Sequence, residues 1–79
     1  MKTTRVIKLA LDDVSAFVEA ASHCDFEIDI ASNTTSRYIV DAKSIVGVLG
    51  LDLNNKLVVT YDGYNEEFER FLEAMAIAC

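Results

Sequence analysis

The side chains with chemistry to offer are few: the adjacent carboxylates Asp12 and Asp13, the imidazole of His23 beside the thiol of Cys24, the hydroxyl of Ser44, and the thiol of Cys79. Asp12 with Asp13 could form an acid/base or metal pair. Capping is the simpler reading, because carboxylates just ahead of an apolar helical pattern accept from the unpaired amides of the first turn. His23, the only histidine, falls at the end of that helix, where the macrodipole favours a cation. A surface histidine at a helix end fits that position better than a catalytic one. Cys24 and Cys79 have no metal-like spacing and no secretory signal ahead of them, which points to reduced thiols rather than a disulfide. Nucleophile, base and orienting group cannot be assembled from these positions. The expectation is a protein that is not an enzyme and that uses no metal or cofactor.

Ser44 stands in a more telling context. It precedes Ile45-Val46-Gly47-Val48-Leu49-Gly50-Leu51, and a serine ahead of an apolar run is a helix N-cap signal, its oxygen satisfying one orphan amide. At about 100° per residue, Ile45, Val46 and Leu49 cluster on one side and Val48 and Leu51 on another. A helix that short on a small domain buries one side only. The side left over is an exposed apolar patch, and such patches mark contact with a partner.

Around these residues the patterns define the scaffold. Alternation predicts a strand over 3–10 with Ile7 and Leu9 on one face. A helix follows from Asp12 or Asp13 to about Ser22, its apolar positions Val14, Phe17, Val18 and Ala21 at helical spacing. Residues 26–30 alternate as a strand with Phe26, Ile28 and Ile30 inward. Residues 31–36 carry turn chemistry, and 37–40 return as a strand with Tyr38 and Val40 inward. After the Ser44 helix, Asn54-Asn55 makes a turn and 56–61 a strand resting on Leu57 and Val59. Asn65-Glu66-Glu67 opens a last helix, with a capping side chain and carboxylates where the macrodipole favours them. Phe68, Phe71, Leu72, Met75 and Cys79 give it an apolar side.

The 79 residues make one domain, 1–79, with 52% apolar and 25% charged residues, enough to fold and too little to leave a large margin. The net charge is −6, and the seven lysines and arginines are scattered. Nucleic acid and anionic membrane surfaces need a positive footprint and are unlikely partners on that ground. No apolar run reaches the roughly 20 residues of a membrane span. These features imply a soluble, cytoplasmic protein.

The stretch Lys43-Ser44-Ile45-Val46-Gly47-Val48-Leu49-Gly50-Leu51 is similar to the regulatory-serine helix of HPr, the histidine-containing phosphocarrier of the bacterial sugar phosphotransferase system. Ala16-Phe17-Val18-Glu19-Ala20-Ala21 resembles the first HPr helix, and Tyr61-Asp62-Gly63 with the acidic helix start resembles its last strand and helix. The resemblance implies an α+β fold, the HPr-like open-faced two-layer sandwich in the order βαββαβα, with a four-stranded antiparallel sheet covered on one face by helices. A ferredoxin-like small-ligand regulatory domain shares most of that order and stands as an alternative.

HPr carries phosphate on a histidine in a Gly-Leu-His-x-Arg-Pro segment just before its first helix. Here Leu9-Ala10-Leu11 runs directly into Asp12-Asp13. A phosphoryl group would face those carboxylates, and two like charges about 4 Å apart repel by roughly 1–4 kcal/mol near a surface. The expectation is a divergent member without phosphohistidine transfer; a true phosphocarrier using His23 is the alternative. The resemblance also implies that Ser44 is a regulatory phosphorylation site and that Ile45, Val46 and Leu49 dock partners. Those partners would be phosphotransferase-system components or a transcriptional regulator, with a homodimer as a further possibility.

Overall fold

A computed structural model describes residues 2–32 and 39–76 of the chain. Strand β1 (Thr3–Ile7) leads through a 3-10 turn (Leu11–Asp13) into helix α1 (Val14–Ser22). Strands β2 (Ile28–Ser32) and β3 (Ile39–Asp41), helix α2 (Ile45–Leu49), strand β4 (Leu57–Tyr61) and helix α3 (Glu66–Met75) follow. The four strands form one antiparallel sheet in the order β1-β4-β2-β3.

Period-two patterning decides which face is covered. In β4, Leu57, Val59 and Tyr61 are buried while Val58 and Thr60 are half-buried. In β2, Ile28 and Ile30 are buried while Asp29 is exposed. Against the buried face pack Val14, Phe17 and Ala21 of α1, Val48 of α2, and Phe68 and Leu72 of α3. Phe68 sits edge-on to Tyr61 at 5.4 Å between ring centroids, and Phe17 meets Phe68 at 6.0 Å. Such tilted pairs add to the area they bury.

Three boundaries differ from the sequence reading. Strand β1 ends at Ile7, because the Lys8 amide donates to the Met75 carbonyl, 3.1 Å away, at the end of α3. Strand β2 starts at Ile28 and continues through Ala31 and Ser32, since Ser32 still pairs with Leu57 of the central strand. Phe26 therefore lies ahead of the strand, with its ring stacked on Tyr61 at 5.8 Å. That ring fills the space beside Gly63, where a Cβ would fall 2.3 Å from Phe26 Cδ2. Finally, Asp13 does not cap α1 with its side chain; its carboxylate accepts from the Ala10 amide at 3.1 Å and closes the preceding turn. Asn33, Thr34, Thr35, Ser36, Arg37, Tyr38 and Cys79 lie outside the described residues.

Candidate functional site

The loop into α2 is held by backbone and side chain together. The Ala42 amide donates to the Ile28 carbonyl at 2.9 Å, the Lys43 amide to Asp41 Oδ1 at 2.9 Å, and the Ser44 amide to the Asp41 carbonyl at 3.0 Å. Ser44, in extended conformation, then caps the helix: its Oγ accepts from the Gly47 amide at 3.2 Å. Gly47 leaves room there, since a Cβ would lie 3.2 Å from Val40 Cβ and 3.4 Å from Ser44 Oγ. The Ser44 side chain faces solvent.

Two sides of α2 have opposite fates. Val48 is fully buried and Leu51, just beyond the helix, nearly so. On the other side Ile45 is 44% exposed, Val46 79% and Leu49 47%. Three large apolar side chains thus face solvent directly after an exposed serine. Leu11, ahead of α1, is a further exposed apolar residue that the sequence reading did not single out.

Among the described residues, the remaining candidates do not assemble into a reaction centre. Asp12 is exposed, and Asp13 is engaged with Ala10 at the start of the α1 region. His23 is exposed at the opposite end of α1, its amide bonded to the Ala20 carbonyl at 3.3 Å. Cys24 is buried, and burial pushes its thiol up from the ordinary value against the pull of Lys43. The Lys43 ammonium donates to the Cys24 carbonyl at 3.0 Å. That contact draws the end of α1 to the start of α2 and turns the lysine's charge onto a helix-end carbonyl, where the macrodipole favours it. No group of three His, Cys, Asp or Glu side chains among the described residues could hold a metal.

Sequence reading missed one cluster. Glu69 of α3 accepts from Arg5 Nη2 at 2.7 Å through one oxygen and from the Tyr61 hydroxyl through the other. Burial, reinforced by the bond to Glu69, pushes the Tyr61 hydroxyl up to about 12. The trio ties α3 to β1 and β4, strands that are far apart in sequence. Only the inward parity of Arg5, shared with Ile7, hinted at it.

No family model matches the chain, and no curated protein matches it. Solved structures do. The phosphocarrier protein HPr from Bacillus anthracis str. Ames superposes with a TM-score of 0.65 over 96% of this chain and 92% of its own, at 24% identity. HPr-C-His from Thermoanaerobacter tengcongensis superposes with the same TM-score over 94% of this chain and 88% of its own, at 26% identity. The chain has the HPr-like fold: an α+β open-faced sandwich whose four-stranded antiparallel sheet is covered on one face by helices. The ferredoxin-like alternative is set aside by that likeness.

Proposed function

We propose that this HPr-like domain has a phosphotransferase-system-related role exercised by protein docking in the bacterial cytoplasm, regulatory in character and without phosphohistidine transfer. Ile45, Val46 and Leu49 are its docking face and Ser44 its switch. The observation that carries the reading is the exposure of those three side chains, 44%, 79% and 47%, on a helix that the exposed Ser44 caps. A large apolar patch beside a modifiable hydroxyl is suited to a contact that a charge can turn on or off.

Phosphorylation of Ser44 adds about −1.5 to −2 charges and three acceptor oxygens at the first turn. The Gly47 amide, now donating to Ser44 Oγ, is available to one of those oxygens. The loss of histidine transfer is supported by the carboxylates of Asp12 and Asp13 ahead of α1 and by the placement of His23 at its far end. The partners are phosphotransferase-system proteins or a transcriptional regulator. The contact needs no metal or cofactor, and the domain is not an enzyme.

Labelled phosphate distinguishes the possibilities. The protein is offered to an upstream phosphotransferase and, separately, to an HPr serine kinase with ATP. Acid-stable label lost in Ser44→Ala supports the switch. Acid-labile label lost in His23→Ala overturns it and makes the protein a carrier.

A further inference from the structure

Helices cover one face of the sheet; on the other, the strand register sets the side chains in rows. Val6 pairs with Val58, Val58 with Ala31 and Ala31 with Ile39, so one apolar row crosses all four strands. Two residues along, Thr4, Thr60, Asp29 and Asp41 form a polar row. One step further the same way stands Lys2, just ahead of β1, on the same face as Thr4 by the two-residue alternation.

These rows meet in a hollow of ≈ 260 Å³ lined by Lys2, Asp29, Thr60, Ala31, Val58 and Ile39. Lys2 and Asp29 are exposed and opposite in charge, yet neither forms a side-chain hydrogen bond or ion pair among the described residues. The sheet explains why they do not meet. Strand β4 separates β1 from β2, which sets the two residues about 10 Å apart across the strands and about 7 Å apart along them. Strand side chains stand roughly perpendicular to the sheet, so the charges face each other across a gap. Thr60, on β4 and paired with Asp29, lies between them. Asp41 is a poorer anchor, because its carboxylate already accepts from the Lys43 amide at 2.9 Å.

We infer that this hollow binds a free α-amino acid with an apolar side chain of about the size of leucine. Two opposite charges held apart over a concave surface match a molecule that carries both. The order of groups matches as well. Along the strands the face presents a cation, then a carboxylate with a hydroxyl, then hydrocarbon, which complements a carboxylate, an α-ammonium and an apolar side chain. The ligand carboxylate accepts from the Lys2 ammonium, and its ammonium donates to Asp29 and the Thr60 hydroxyl, both charge-assisted bonds. Its side chain lies over Val58, Ala31 and Ile39, the last 60% exposed without it. Size agrees: at about 30 Å³ for each water-sized atom the hollow takes roughly nine non-hydrogen atoms, the number in leucine. A residue within a peptide chain carries neither charge, so the site selects the free amino acid. Because the hollow is open to solvent on one side, the Kd is about 1 mM.

Titration of the isotope-labelled chain with L-leucine to about 10 mM, followed by amide NMR, reads the site directly. Saturable shifts are expected at Thr60, Ala31, Val58 and Ile39, with Val46 and Leu49 on α2 unmoved. Isocaproate lacks the ammonium, isoamylamine the carboxylate and glycine the hydrocarbon, and each should bind the unaltered chain about tenfold more weakly than leucine. Lys2→Met and Asp29→Asn should each weaken leucine binding by a similar factor. Both residues are exposed, so an unchanged thermal midpoint separates lost contact from lost fold. Absence of shifts at about 10 mM leucine overturns the inference. So does a single-charge analogue that binds as tightly as leucine, and so do shifts that persist undiminished in both variants.

Discussion

Helices α2 and α3 begin by the same device and end with opposite roles. Ser44 Oγ accepts from the Gly47 amide at 3.2 Å, and Asn65 Oδ1 accepts from the Phe68 amide at 3.0 Å. After those caps the paths divide. Helix α3 sinks Phe68 and Leu72 into the core and presents Glu66, Glu67, Arg70 and Glu73 to water. Helix α2 sinks Val48 and leaves Ile45, Val46 and Leu49 outside. A cap fixes where a helix starts and leaves open which side the protein keeps. With ten residues α3 has turns enough for an apolar side and a charged one, whereas the five of α2 supply one buried anchor and three exposed apolar side chains.

The largest expected effect lies on α3. Phe68 is fully buried between Phe17 and Tyr61, and Phe68→Ala should cost about 3–5 kcal/mol. A domain of this length holds only about 4–12 kcal/mol in total. Urea titration should show the midpoint collapsing. A cost under about 1 kcal/mol would mean that α3 is not the anchor and would erase the contrast with α2.

The clamp on α3 gives a pH signature. The protonated Tyr61 hydroxyl is favoured in the folded state, by burial first and by Glu69 next, so its value rises from 10.0 to about 12. Between those values the folded chain binds more protons than the unfolded one, and stability falls as pH rises. The contribution is intact below about pH 10 and amounts to about 2–3 kcal/mol, gone above about pH 12. Tyr61→Phe should flatten this segment of the stability–pH curve relative to the parent. An unchanged slope would remove the clamp from the account of why α3 stays docked.

The approach to α3 is sensitive on a smaller scale. Phe26 lies against Gly63 and stacks on Tyr61. In Gly63→Ala the ring must move, since the new Cβ would sit 2.3 Å from it, and overpacking of this kind costs about 1–3 kcal/mol. The same substitution at Gly47 meets contacts of 3.2 Å and 3.4 Å and should cost less. Thermal melts of the two variants compare the helices directly.

Much of this contrast was legible in the sequence. Period-two and helical spacing place β4, α1 and α3, and the serine and asparagine caps place two helix starts to the residue, because each is a local rule. The wheel on α2 separates Val48 and Leu51 from Ile45, Val46 and Leu49 for the same reason. What local rules miss is long-range pairing. Ser32 reads as turn chemistry until Leu57 is found beside it, and Arg5 reads as a strand charge until Glu69, 64 residues away, receives it. The apolar row across the open face is hidden likewise, since its four members come from four separate strands.

The smallest effect on stability is also the sharpest test of the comparison. Val46 is 79% exposed, and surface substitutions away from caps and core stay within about 0.5 kcal/mol. Val46→Ser should therefore leave the urea midpoint in place, while Phe68→Ser would abolish the fold. If α2 is a docking face, the same silent change should weaken binding to a phosphotransferase-system partner, measured by titration calorimetry, with Leu49→Ser reinforcing the loss. A Val46→Ser protein destabilised by more than about 1 kcal/mol would show a side chain that supports the fold. The two helices would then differ in how much they bury, not in what they are for.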